Sequence, residues 1–186
     1  MTRPQSRGFR RRTRTAGRTR NMKSLRLPAA VAPHACRFRL RIGRSGIQGL
    51  GVFADEPIPA RRKVIEYTGT KVAWPALKRR LQKIMKEGGW MPRYLFRLGP
   101  RSWIDGETGG SGAERVNHCC DPNLVVRRSR GRIFYWSKRR IARGQELTID
   151  YRYRATARRK ACRCGSPNCR GTINLFKPAK TGAKKR

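Results

Sequence analysis

The sequence predicts a mostly β domain of short strands with few helices. Three observations lead there. The apolar segments are short and are broken by glycine, proline and charged turn residues, the pattern of strands joined by tight connections. Only one stretch repeats its apolar residues at helical spacing. The 186 residues are enough for one domain with a real core and two short arms.

The elements follow in chain order. Residues 1–35 read as a disordered basic arm: the first 27 carry ten basic side chains and no acid, and residues 1–21 hold almost no large apolar side chain beyond Phe9, so no apolar helical face forms. Arg37 to Arg41 alternates basic and apolar residues, with Phe38 and Leu40 available to a core, which predicts a strand. Gly43 to Gly51 is rich in turn residues, Val52–Ala54 and Lys63–Tyr67 read as strands, and Pro57 and Pro59 impose a loop between them. Trp74 to Lys86 is the predicted helix, because Leu77, Leu81 and Ile84 recur at spacings of four and three and Gly88-Gly89 ends it. Two strand pairs follow, 93–97 with 102–105 around Gly99-Pro100, and 123–126 with 131–137. No internal repeat is present.

Charge narrows the partners. Lys and Arg total 47 against 10 Asp and Glu, a formal net charge of +37. Residues 177–186 add a tail of five basic side chains without an acid, and residues 28–176 still carry +22. Such a field favours polyanions, and DNA or RNA contact through the basic arms is expected. No apolar run reaches about 18 residues, so no membrane span is expected. The N-terminus lacks a signal peptide's apolar core, which points to an intracellular protein with reduced thiols.

Six cysteines in a chain of this length allow a disulfide scaffold, a metal site or free thiols. Cys162, Cys164 and Cys169 form a Cys-x-Cys-x4-Cys loop with Gly165 and Pro167, tight enough to wrap one ion. Three thiolates leave a structural tetrahedral site one ligand short, so a fourth must come from afar; spacing does not choose between Cys119 and Cys120. Gly46-x-x-Gly49-x-Gly51 is not the dinucleotide-binding order and precedes a strand, not a helix. With His118 as one of two histidines, a histidine-based triad has little support, and no serine is placed as a nucleophile.

Gly49-Leu50-Gly51-Val52, Asn117-His118-Cys119-Cys120-Asp121-Pro122-Asn123, Glu146-Leu147-Thr148-Ile149-Asp150-Tyr151 and the C-terminal cysteine loop occur in that order. Together they resemble the SET-domain protein-lysine methyltransferases that carry a post-SET zinc cluster, over roughly residues 37 to 176. The resemblance implies a SET-type fold of short curved sheets over 36–155, a post-SET zinc-binding segment over 156–176 and a basic tail at 177–186. It implies S-adenosylmethionine as methyl donor, held at Gly49, Leu50, Gly51, Asn117 and His118. Tyr151 is then the active-site tyrosine, Tyr94 and Ile149 line the lysine channel, and structural Zn²⁺ sits on Cys120, Cys162, Cys164 and Cys169. Three places depart from the family pattern: Glu114-Arg115-Val116 replaces the frequent Arg-Phe-Ile, Cys119 replaces Ser, and Ser102 stands where an aromatic residue is common.

The expected substrate is a basic protein such as a histone or histone-like protein. The small size suggests a stand-alone bacterial or viral enzyme, cytoplasmic or nucleoid-associated, or one exported to a host nucleus. The alternative is a non-catalytic, zinc-stabilised nucleic-acid-binding protein on the same scaffold. The presence of Tyr151, the Gly-x-Gly and Asn117-His118 favours the enzyme.

Overall fold

The computed structural model describes residues 30–89 and 92–176. The expected basic arm lies outside the described residues up to position 29, and the tail at 177–186 lies outside them entirely.

The described chain is strand-rich, with one α-helix. In order, β1 is Leu40–Arg44, β2 Leu50–Ala54, β3 Lys63–Tyr67, β4 Thr70–Ala73, α1 Trp74–Lys86, β5 Leu95–Gly99 and β6 Ser102–Asp105. After a 3-10 turn at Ala113–Arg115 come β7 Asn117–His118, β8 Leu124–Ser129, β9 Arg132–Ser137 and β10 Thr148–Ile149. They form four small sheets: the β1–β2 hairpin, the antiparallel sheets β3–β9–β8 and β4–β6–β5, and a parallel pair of β7 with β10. The mostly β expectation is met.

The predicted alternation at the start of the domain is present, with Arg37, Arg39 and Arg41 exposed and Phe38, Leu40 and Ile42 half-buried. The strand itself begins at Leu40, three residues later than expected. Cys36 and Arg37 pair instead with β3, where the Arg37 N–H donates to the Val64 carbonyl at 2.9 Å. Beyond the expected strands the structure adds β4, β7 and β10. In β9, Ile133, Tyr135 and Ser137 point inward, while Phe134 and Trp136 lie on the outer face under the cations of Lys63, Arg132 and Arg127.

Helix α1 begins with Pro75 in its first turn, where a missing N–H costs nothing, and ends before Gly88 at φ +65°. It buries Leu77 and half-buries Leu81 and Ile84, as the spacing predicts. Arg80 reaches from α1 to Asp105 on β6 and to Glu107, fastening the helix to the sheet.

The core is a continuous cluster including Val52, Ile58, Ile65, Ile133, Tyr135, Ile141 and Leu147. Burial of these side chains is the main favourable contribution, of the order of 1.5–3 kcal/mol each. Residues 145–149 run along two partners in turn. The Ala54 and Leu147 N–H groups bond the Gln145 and Val52 carbonyls, after which Thr148 and Ile149 pair with Asn117 and His118. This crossing joins motifs some thirty residues apart and positions the site. Among the described residues no helix is long and apolar enough to cross a membrane.

Candidate active site and cysteine cluster

The site is built where β7 and β10 meet. Asn117 is buried, and its amide nitrogen lies 3.1 Å from the Leu50 carbonyl, 3.2 Å from that of Gln48, 3.0 Å from Ser45 Oγ and 2.8 Å from Glu146 Oε1. The Ser45 hydroxyl in turn bonds the Glu146 carboxylate at 2.8 Å and accepts the Ile47 N–H. One buried amide thus staples the loop before β2 to the Glu146 motif. Gly49 turns that loop at φ +54°, and the apolar Leu50 side chain beside it is left exposed.

Gly51 faces this staple. A Cβ there would stand 2.2 Å from Glu146 Oε1 and 3.2 Å from Asn117 Nδ2. The Glu146 side chain is not free to swing, because Ser45 and Asn117 hold it. Gly51→Ala is therefore expected to destabilise the domain by about 1–3 kcal/mol, since a displaced Glu146 carboxylate gives up its bonds from Ser45 and Asn117. Thermal melts beside the parent protein check this, with Gly46→Ala, where no atom lies within 4 Å, as the neutral control.

Beyond β10 the chain enters a cleft of about 990 Å³ whose lining includes Tyr94, Val116, Ile149, Tyr151 and Tyr153. The Tyr151 hydroxyl donates to the Val116 carbonyl at 3.1 Å, and its ring stacks on Tyr153 with centroids 5.8 Å apart. Burial, then the nearby Tyr153, Tyr94 and Glu146, raises the Tyr151 phenol above its ordinary value. It stays protonated at neutral pH. Ile149 is buried, and the Tyr94 carbonyl accepts from Tyr67 Oη, which fixes the backbone of that wall.

His118 joins the cleft to the cysteines. Its Nδ1 accepts the Tyr151 N–H at 3.1 Å, and its Nε2 lies 3.4 Å from Cys120 Sγ. Burial lowers its pKa, against the pull of Asp150 and with the help of Arg170. An acceptor at Nδ1 requires the neutral tautomer with its proton on Nε2, so the contact with Asp150 Oδ1 at 3.5 Å is not an ion pair.

The thiol sulfurs of Cys120, Cys162, Cys164 and Cys169 all lie within 4.8 Å of one another. Sulfurs held at about 2.3 Å around one tetrahedral zinc stand about 3.8 Å apart, and Cys120 Sγ is 3.7 Å from Cys162 Sγ. The donor set and spacing fit a structural zinc site. Cys119 is not one of the four: its thiol donates to the Asp121 carbonyl at 3.3 Å, and burial, with Cys164 beside it, pushes that thiol up to about 11. The Arg170 and Gly171 N–H groups donate to the sulfurs of Cys120 and Cys169 at 3.3 and 3.4 Å, giving the cluster the amide support that thiolates need.

Three further residues that the sequence reading gave no role hold the site together. Arg170 grips Asp150 through two bonds of 2.8 and 3.0 Å, tying the cysteine loop to the segment that carries Tyr151. Asn123 clamps β10 by donating to the Glu146 carbonyl and accepting the Thr148 N–H. Asn174 donates towards the carbonyls of Arg154, Ala157 and Arg158 and accepts the Lys160 N–H, closing the C-terminal segment. Asn123 stands in the Asp-Pro-Asn run already noted; Arg170 and Asn174 had only their nearness to the cysteines to mark them.

Residues 49–152 match the family model described as "SET domain". Over 142 residues the chain is 40% identical to the histone-lysine N-methyltransferase ATX2 of Arabidopsis thaliana, a stretch that is 74% of this chain and 13% of that protein. Over 138 residues it is 36% identical to a histone-lysine N-methyltransferase of Saccharomyces cerevisiae described as H3 lysine-4 specific, covering 70% of this chain and 13% of the relative. Human histone-lysine N-methyltransferase SETD1A is 36% identical over 140 residues, 73% of this chain and 8% of that protein. The chain spans between 8% and 13% of the length of these curated relatives. Among solved structures, that of KRYPTONITE in complex with mCHG DNA and SAH superposes with a TM-score of 0.60 at 30% identity, over 74% of this chain and 29% of that one.

Proposed function

The chain belongs to the SET-domain family, and from that premise we propose that it transfers a methyl group from S-adenosylmethionine to a lysine of a basic, nucleic-acid-associated protein of histone or histone-like type. The observation that carries this reading is the pairing of β7 with β10, which sets the Tyr151 hydroxyl in the cleft wall and the Gly49–Gly51 loop on the same pair of motifs. Relatives named as histone-lysine N-methyltransferases, and a structural neighbour crystallised with SAH and DNA, support it. Such a substrate places the protein's work at chromatin or a nucleoid.

Each residue then has a task. Gly49, Leu50 and Gly51, with Asn117 and His118, form the donor-facing wall: Asn117 holds the loop, and exposed Leu50 offers an apolar surface for an adenosyl group. Tyr94 and Ile149 shape the channel for the lysine's alkyl chain. Bound S-adenosylmethionine supplies a sulfonium methyl, and the N–C bond to the lysine amine forms as the C–S bond breaks. The amine must arrive neutral. In water at pH 7 only about one in a few thousand lysine amines is neutral, and a desolvated channel raises that fraction. The proton leaves to solvent before docking. Tyr151 points its dipole at the reacting centre and orients the amine. Residues 36–155 form the catalytic unit in this reading, and 156–176 the zinc-binding segment with Cys120 as its distant ligand.

Ile149 has no hydroxyl to hold water or pin an already methylated amine. The protein is expected to add more than one methyl group, and Ile149→Tyr to shift the product towards monomethyl-lysine; peptide mass spectrometry reads both outcomes.

The charge sets how the substrate is met. A free basic protein is repelled by a domain region of +22 flanked by acid-free basic arms. The same protein bound to DNA or RNA presents a neutralised surface, on which the arms dock through phosphate. The test is methyl transfer to one histone-like protein, free and DNA-bound, at low and moderate salt. The DNA-bound form is expected to be methylated faster at low salt and to lose its advantage as salt rises, because phosphate contacts release counterions. Equal rates in all four conditions would overturn the polyanion part of the reading.

A further inference from the structure

The cleft beside Tyr151 is positively charged, and no acid in the molecule is free to change that. Six basic residues line it: Arg93, Arg97, Arg128, Lys138, Arg152 and Arg154. Against them stand two acids, Glu114 and Asp150. Asp150 is gripped by Arg170. Glu114 is folded into the wall, where it accepts the Gly112 N–H.

Every other acid is committed elsewhere. Asp55 and Glu56 pair with Arg143 and Arg39, Glu66 with Arg132, and Glu87 with Lys83. Asp105 and Glu107 hold Arg80, Asp121 holds Lys138 and Arg139, and Glu146 is bonded to Ser45 and Asn117. These are all ten acids of the chain, so residues 1–29 and 177–186 have none to lend.

Among the described residues none of the five cleft arginines has a carboxylate within 4.0 Å. Arg97 bonds the Gly99 and Pro100 carbonyls, and Arg128 lies over Phe96 while donating to the Arg97 carbonyl. Both are thereby held in place without losing charge. Arg93, Arg152 and Arg154 are exposed. Charges in a cleft with low-dielectric walls act over about a Debye length of 8–10 Å, the span of two or three peptide residues.

We infer that this cleft selects lysines whose near neighbours are aspartate or glutamate. The inference rests on the lysine-methyltransferase reading and narrows its substrate: the protein as a whole is basic and held on nucleic acid, while the segment that enters the cleft is acidic. Arginine forks at the rim pair with the flanking carboxylates, and a segment with basic flanks meets like charge on both sides of the channel mouth.

The experiment uses three peptides of equal length with a single lysine, flanked by Asp/Glu, by Asn/Gln or by Arg/Lys. For each, kcat/KM for methyl transfer and binding by fluorescence anisotropy are measured at about 50 mM and about 300 mM salt. The acidic peptide is expected to exceed the basic one by tenfold or more in both readouts at low salt. The ratio should shrink at high salt and in the double variant Arg93→Ser/Arg154→Ser. Equal or better handling of the basic peptide, or a ratio indifferent to both salt and the variant, would overturn the inference. Absence of transfer to every peptide and protein, with anisotropy still ranking the acidic peptide first, would instead remove the methyltransferase reading and leave the charge preference standing.

Discussion

Tyr151→Phe is expected to keep the fold and donor binding while cutting methyl transfer by about a hundredfold or more, the usual cost of removing one positioned polar group at a reacting centre. The hydroxyl contributes a single bond to structure, to the Val116 carbonyl at 3.1 Å, and that carbonyl lies beside a cleft that water can enter. The ring keeps its stacking on Tyr153 and its contact with His118. The loss should fall on kcat at saturating donor, with the donor Kd and the melting temperature nearly unchanged. Near-normal turnover would remove Tyr151 from the chemistry.

Cys164→Ser is expected to have the larger effect on structure. The four sulfurs come from two distant parts of the chain, so a shared ion closes the C-terminal segment onto the domain. Binding of a structural zinc contributes of the order of 10 kcal/mol directly to folding. Without it, residues 156–176 retain the bonds of Asn174 and Thr172 and the Arg170–Asp150 pair. Elemental analysis should find one zinc per chain in the parent and little in the variant. Limited proteolysis should cut the variant within 156–176 while the strand core stays protected, and donor affinity should fall because Arg170 and His118 link the cluster to the segment carrying Tyr151. A parent protein free of zinc would contradict the assignment.

What could be read from the sequence depended on the range of the interaction. Helix α1 was legible because Leu77, Leu81 and Ile84 mark one face, and β3 and β6 because their ends are local. Strand β4 was not: Thr70, Lys71 and Ala73 are all exposed, so no apolar alternation marks it, and it exists because β6 offers it an edge. The two-residue strands β7 and β10 are too short for any periodic signal and form only by pairing with each other. Spacing grouped Cys162, Cys164 and Cys169 but was silent between Cys119 and Cys120. In the structure Cys120 completes the set of four mutually close sulfurs, while the Cys119 thiol donates to the Asp121 carbonyl. The resemblance assigns Asn117 and Gly51 to a donor molecule; in the structure Asn117 turns its amide to the protein's own loop and to Glu146, and Gly51 packs against that carboxylate.

The most direct test of methyl transfer to lysine is incubation of the purified protein with labelled S-adenosylmethionine and a DNA-bound histone-like protein, followed by mass spectrometry of the peptides. The account predicts added methyl groups on lysine side chains, dependent on Tyr151 and on the intact cysteine cluster. Stoichiometric zinc and tight DNA binding with no methyl added to any lysine would contradict it and leave a non-catalytic nucleic-acid-binding scaffold.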